Sequence, residues 1–577
     1  MTTKYYFSQK YPHSEFLQVR SHFNLSSQAD ETLVFLPAWR PGRYQLGNFS
    51  KYVRSLTAHD NDGRQIKSTK VSKDSWAIET KGLEQFEVRY EFYIHIIDGG
   101  STFVDEDIWY LNFINCTLYT HESINDKCEV HLTIPDNWTI ASSLKKTGKV
   151  LEAKNFYELV DSPVIAAKSL QHLKYSIDNT NFHLWFHGNV DLTNNSNQIV
   201  KDFKKFTHEQ LEMMEEMETE DYHFLFQILP HKAYHGVEHL SSTSIILGPD
   251  NEFETQDLYD NFLGISSHEL FHYWNIIRIR PKEMFPYNFQ TENYFTTGYI
   301  AEGVTTYYGD LFLVRSKVKS VKWYLDELNK LLKRHFENYG RFNSSVAESS
   351  QDLWVDGYEA GTPHRKVSIY VKGAIIALLL DLKIMLATNG DKCLEDVIKG
   401  LWKNYYKKGL GYSPEDYLTM AEEVIRHSLD TYADKYIYGT EPIENELKEL
   451  INHFGFDLIP TPNENILNRK LGIKYNLEND RIKIISYAPD SPAEKNLRIG
   501  DEIISIDGHA VSNGIDSCLN IENGLNLTLW RKSRLKQIVI EKKEILEKNN
   551  FYGSLEIKER KERSKNENSL RKKWLKN

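Results

Sequence analysis

Cysteine is scarce in this sequence. Four thiols, Cys116, Cys128, Cys393 and Cys518, serve 577 residues and none forms a Cys-x-x-Cys pair, which excludes a disulfide-stapled scaffold. Cys116 and Cys128 are placed to meet across two strands, but free thiols are the expectation. Long apolar runs are also missing. The longest, 374–380, ends at Asp381 and Lys383, too short to span a bilayer. The first residues, Met1-Thr2-Thr3-Lys4-Tyr5-Tyr6-Phe7, hold no uninterrupted apolar core of a signal peptide, so a cytoplasmic enzyme without a transmembrane segment is expected. Positive charge is in deficit, 70 Lys and Arg against 81 Asp and Glu for a net −11, which gives no electrostatic case for nucleic acid as a partner. Internal repeats and low-complexity tracts are absent. What remains is ordinary for a soluble chain, 40 % hydrophobic and 26 % charged. The length implies about three or four domains. Aromatic residues reach 13 %, suiting β-rich cores or an aromatic-lined pocket.

The texture changes along the chain. Residues 1–170 alternate as in Phe86-Glu87-Val88-Arg89-Tyr90-Glu91-Phe92, with turns at Asn61-Asp62-Gly63 and Asp98-Gly99-Gly100, and predict an antiparallel β-sandwich domain. Residues 197–218 carry Val200, Phe203, Phe206, Leu211 and Met214 at helical spacing. Two β-like runs follow at 223–229 and 241–247, and helices dominate to about 456, giving a second domain over 171–460. Ile459-Pro460-Thr461-Pro462-Asn463 reads as a linker. Short strands return in a third domain, 461–545. The segment 546–577 reads as a basic tail, with nine Lys or Arg against four Glu over 556–577; a solvated helix or frayed end is expected there. The fold class is multidomain α+β.

Five residues carry most of the chemistry: His268-Glu269-Leu270-Phe271-His272. On a helix, a spacing of four puts both imidazoles on one side. Zinc accepts imidazole nitrogens tetrahedrally, and the Glu between them can address water at the metal. A catalytic zinc takes three protein ligands and keeps one position open. The best third candidate is Glu302, thirty residues beyond His272. That gap accommodates a loop and a second helix packed on the first. A rival cluster, His231, His235 and His239, is interrupted by Gly236 and follows Pro230, so a loop with solvated imidazoles is expected.

The segments His268-Glu269-Leu270-Phe271-His272-Tyr273-Trp274-Asn275 and Ala301-Glu302-Gly303-Val304-Thr305-Thr306-Tyr307-Tyr308-Gly309-Asp310 resemble the glycyl aminopeptidase family of gluzincin zinc metallopeptidases. Gly236-Val237-Glu238-His239, Tyr370-Val371-Lys372-Gly373 and Leu36-Pro37-Ala38-Trp39-Arg40-Pro41-Gly42 add to it. The resemblance spans nearly the whole chain in the order β-domain, thermolysin-like catalytic domain, PDZ domain. It implies one Zn²⁺ per chain held by His268, His272 and Glu302, with Glu269 as general base. It implies that Tyr370 donates to the tetrahedral oxyanion, although a packed helix aromatic is the bland alternative; Lys372 reads as a helix-surface charge. In Gly236, Glu238 and His239 it implies a substrate-binding segment whose Glu238, on an edge strand, grips a free α-amino group. The alternative for Glu238 is a solvated turn carboxylate. Val237 where the family often has Leu, and His235 in place of Gly, alter the first-residue pocket.

Residues 465–545 resemble a PDZ domain, carried by Lys470-Leu471-Gly472-Ile473, by Asp490-Ser491-Pro492-Ala493 and by the run from Leu497 through Asp507-Gly508. Leu471, Gly472 and Ile473 would form its carboxylate-binding loop, taking a C-terminal peptide as an added strand. A docked accessory module without a ligand is equally open. The implied function is a zinc aminopeptidase acting on peptides with a free N-terminus and removing small residues, Gly and Ala first. Its rivals are a zinc endopeptidase on the same fold and an inactive PDZ-bearing scaffold. The intact Glu269 disfavours the scaffold. The acidic and aromatic stretch 105–110 reads as a solvated turn rather than part of a cleft.

Overall fold

The computed structural model describes residues 1–25, 29–359, 361–511, 523–545 and 549–576. Residues 2–167 build a sheet-rich region. An eight-stranded sheet, antiparallel except where Thr2–Gln9 runs parallel to Lys127–Leu132, is joined by four- and three-stranded sheets. Alternation explains the burial. In Phe16–Asn24 the residues Leu17, Val19, Ser21 and Phe23 point inward while their neighbours reach solvent. Cys116, Cys128 and Cys393 are free thiols, as expected; Cys518 lies outside the described residues. Within 105–110, Asp105 closes a turn, but Ile108–Leu111 is a fully buried strand.

A five-stranded mixed sheet begins the next region, in the order Gln171–Ile177, Thr180–His187, Asp221–Ile228, Ser242–Gly248, Ala233–Glu238. The last strand is an antiparallel edge. It occupies the segment expected to loop with solvated His. The ladder with Ser242–Gly248 captures its backbone, and of its three imidazoles His239 is buried while His231 stays exposed. Helices then dominate, as the periodicity predicts. Val371–Ala387 is apolar on all sides and runs through the centre. Lys372, read as a surface charge, is therefore buried.

The C-terminal end differs most from expectation. Phe456–Thr461 is a strand, covering most of the presumed linker, and it pairs with Ser554–Glu559. A two-stranded sheet tolerates Pro460 because both strands are edges. The helix Lys565–Leu575 follows, with a capping box at Ser564 and Glu567. Its Leu570, Trp574 and Leu575 enter the same core as the helices of the central region. The Trp574 indole donates to the Tyr307 hydroxyl at 2.8 Å, and Arg315 donates to the Trp574 carbonyl at 2.8 Å. The basic segment is thus structural, its charges outward and its apolar face inward. Between the paired strands lies a separate core, Leu467 to Ile540, around a PDZ-like sheet. No helix among the described residues is long and apolar enough to cross a membrane.

Candidate active site

The helix Gln256–Phe271 opens on Thr255, whose side chain accepts from the Leu258 N–H. It carries His268 and Glu269 and ends at His272. The Glu302 carboxylate comes from a π-helical turn, Tyr299–Val304, a form of helix common at functional sites. Asn275 joins the two, donating to the carbonyls of Ile300 and Ala301 at 2.9 and 3.2 Å. Gly303 meets Gly373 backbone to backbone, so the helix after Tyr370 packs directly on the Glu302 turn.

The three ligand atoms form a small triangle. His268 Nε2 and His272 Nε2 are 3.0 Å apart, and Glu302 Oε2 lies 3.9 and 3.4 Å from them. Two donors bound tetrahedrally to one zinc at about 2.0–2.1 Å sit roughly 3.4 Å apart, so the set fits such an ion. His272 Nδ1 donates to the Asn275 carbonyl at 2.7 Å, which fixes the tautomer and leaves Nε2 its lone pair. A second group, Glu238, Glu269 and His272, also brings its ligand atoms within 4.8 Å of one another. Two imidazoles and one carboxylate suit zinc better than two carboxylates and one imidazole, and the first set leaves Glu269 free.

Burial and charge are unusual here. Glu238, Glu269, His272 and Glu302 are at most 5 % exposed. Glu238 Oε1 and Glu269 Oε2 have no hydrogen-bond partner. Burial raises Glu269 well above the usual carboxylate range and raises Glu238 in the same direction. His272 would be lowered by burial, but Glu238 and Glu302 override that and raise it, the same carboxylate field that would draw a metal cation to its Nε2 in place of a proton. His268, with only His272 adding to burial, is held far below the ordinary imidazole value. Three buried carboxylates around one point call for compensating positive charge.

A cleft of about 720 Å³ contains this centre, and Gly236, Glu238, Tyr358 and Tyr370 line it. A Cβ on Gly236 would fall 2.1 Å from Glu269 Oε1, so the bare backbone makes room for that carboxylate. Tyr358 and Tyr370 join hydroxyls at 3.4 Å. His239 turns away from the cleft toward Asp161, 2.9 Å from its Nδ1. In the C-terminal module, Leu471 and Ile473 are buried, and the Gly472 N–H caps the preceding helix on Asn468 at 3.1 Å.

Several participants escape sequence reasoning. Tyr44, from the N-terminal region, donates to Glu302 Oε1 at 3.1 Å. Gly42, at φ +75°, lies against the Glu238 carboxylate, and Arg40 and Arg43 line the same cleft. Leu36 to Gly42 counted toward the family resemblance, yet nothing in that run announces a place at the metal centre. Tyr358 sits in a loop and carries no motif.

A two-His, one-carboxylate set, buried at His272 and Glu302 and open to the cleft at His268, with an adjacent free Glu between a β-region and a helical domain, defines a metallopeptidase. The M61 glycyl aminopeptidase profile matches residues 261–376, the peptidase M61 N-terminal domain matches 4–168, and a PDZ domain matches 463–516. Two M61 models thus match the chain over 4–168 and 261–376, and the chain is a metallo-aminopeptidase. An aminopeptidase N family protein from Idiomarina loihiensis shares the fold, with 24 % identity, a TM-score of 0.90, and coverage of 99 % of this chain and 100 % of that one. An M1 zinc metallopeptidase from Deinococcus radiodurans shows a looser likeness, with 11 % identity and a TM-score of 0.45 over 74 % of this chain and 92 % of that one. No curated protein matches the sequence.

Proposed function

We propose that the chain is a zinc aminopeptidase that removes one small residue at a time, Gly and Ala preferred, from peptides with a free N-terminus. The observation that carries this reading is Glu238, buried with an orphaned Oε1, within 4.8 Å of ligand atoms on Glu269 and His272. The amino nitrogen and carbonyl oxygen of one residue are only about 3 Å apart. An ammonium on Glu238 therefore leaves space for one residue before the metal centre. Charge agrees: Glu238, Glu269 and Glu302 supply three negative charges, which one divalent ion and one ammonium balance.

His268, His272 and Glu302 would hold the zinc, which supplies Lewis acidity toward water and the scissile carbonyl when bound. Glu269, freed of any protein partner at Oε2, takes the proton from the attacking water and hands it to the leaving amine. Tyr370 and its neighbour Tyr358 present phenols to the developing oxyanion. Gly42 lies against the Glu238 carboxylate and Arg40 lines the same cleft, which favours a small first side chain. The PDZ module extends the reading to a C-terminal peptide ligand. Glu269→Gln, assayed on glycyl peptides with zinc content measured in parallel, tests the assignment. We expect activity to fall at least a thousandfold with zinc retained, and substantial residual turnover contradicts the mechanism.

A further inference from the structure

Another cavity, of about 250 Å³, shares Arg334 with the cleft and lies where the PDZ module meets the helical domain. Arg334 and His335 reach it from the last turn of the helix Val321–Phe336, Lys372 from the first turn of Val371–Ala387, and Lys474 from the PDZ strand Ile473–Glu478. The Lys372 residue is only 2 % exposed, and among the described residues no carboxylate, carbonyl or hydroxyl partners its ammonium. Arg334 at the mouth is exposed and forms no ion pair among those residues. The one acid on the wall, Glu337, is already engaged, with Oε2 on Lys474 at 2.8 Å and Oε1 on Asn463 at 3.3 Å. Arg341 nearby is paired with Glu444 at 2.9 Å. Burial, with the Arg341 guanidinium, pushes the Lys372 ammonium down to about 8, and burial carries His335 down to about 3, so its ring is neutral.

An ammonium on a residue this buried, with no counter-charge beside it, is costly to maintain, and here it borders a hollow of small-molecule size. We propose that this cavity is an oxyanion site that accepts a phosphate or small carboxylate, with Lys372 as its buried partner and Arg334 and Lys474 at the rim. Such a ligand bridges the catalytic domain and the PDZ module. Arg334 also lines the peptide cleft, so the two sites share a side chain.

Isothermal titration of the full chain with sodium phosphate, and separately with sodium acetate, at constant ionic strength tests this. Saturable binding of one or both anions is expected, and which one binds identifies the source of the charge. Lys372→Met, which keeps the length of the side chain, is expected to weaken that binding at least tenfold. Lys474→Met should give a smaller loss. Should Lys372→Met fail to fold, the Lys474 variant and Arg334→Met read the same site from its rim. Absence of saturable binding by either anion overturns the proposal, as does unchanged affinity in Lys372→Met, or in both rim variants.

Discussion

Replacing Gly236 by Ala puts a methyl group where the Glu269 carboxylate now sits. The new Cβ would lie 2.1 Å from Oε1, 2.6 Å from Cδ and 2.9 Å from Cγ, against an ordinary contact of 3.4 Å or more. The carboxylate must retreat by about 1.3 Å. It is the far end of a flexible side chain, so the fold absorbs the change; Gly236 sits in a regular strand, where Ala is not strained. A misplacement of about 1 Å in a catalytic group costs on the order of 100-fold in rate, or about 2.7 kcal/mol in the barrier. Initial rates on a glycyl p-nitroanilide give kcat and KM, while metal analysis and a melting curve report on the rest of the molecule. The expected result is a kcat reduced roughly a hundredfold, with zinc content and melting temperature close to the parent. A kcat within twofold of the parent would refute the idea that Glu269 needs this space.

Two other substitutions probe elements that come from far along the chain. Tyr44→Phe removes the hydrogen bond on Glu302 Oε1, and loss of such support to a ligand typically costs 10–100-fold in metal affinity. Zinc competition with a chromophoric chelator measures it, and unchanged affinity speaks against a positioning role. Trp574→Ala empties a fully buried site and breaks the bond to Tyr307; a loss of about 3–5 kcal/mol is expected by denaturant titration. A loss under about 1 kcal/mol would return the C-terminal helix to the status of a solvated tail.

What the sequence disclosed follows from how local each signal is. His268, Glu269 and His272 sit on one helix, and 3.6-residue periodicity alone places both imidazoles together. Glu302 required only one loop and one packed helix. Glu238 needed the family resemblance, because nothing local announces that Ala233–Glu238 is an edge strand; Gly236 and the nearby Pro230 argue for a loop until the ladder with Ser242–Gly248 is seen. Tyr44 lies 258 residues from Glu302, and only the docking of two domains brings them into contact. The C-terminal segment misleads for a different reason. Its charge run dominates the composition, while Leu570, Trp574 and Leu575 occupy one apolar face that net charge does not register. Lys372 misleads likewise, since its helix is buried all round and has no solvent face at that turn.

The central claim is that Glu238 selects a free α-ammonium beside the metal centre. The most direct measurement compares the zinc-loaded enzyme on Gly-Ala-Phe-Leu and on the same peptide acetylated at its N-terminus, with products read by mass spectrometry, for the parent and for Glu238→Gln. The free peptide should lose its N-terminal Gly, with the blocked peptide cut at least about 30-fold more slowly, since truncating one partner of a buried charge pair costs about 2–5 kcal/mol. Glu238→Gln should remove most of that difference. Equal cleavage of both peptides by the parent enzyme, or cleavage at an internal bond, would contradict the account.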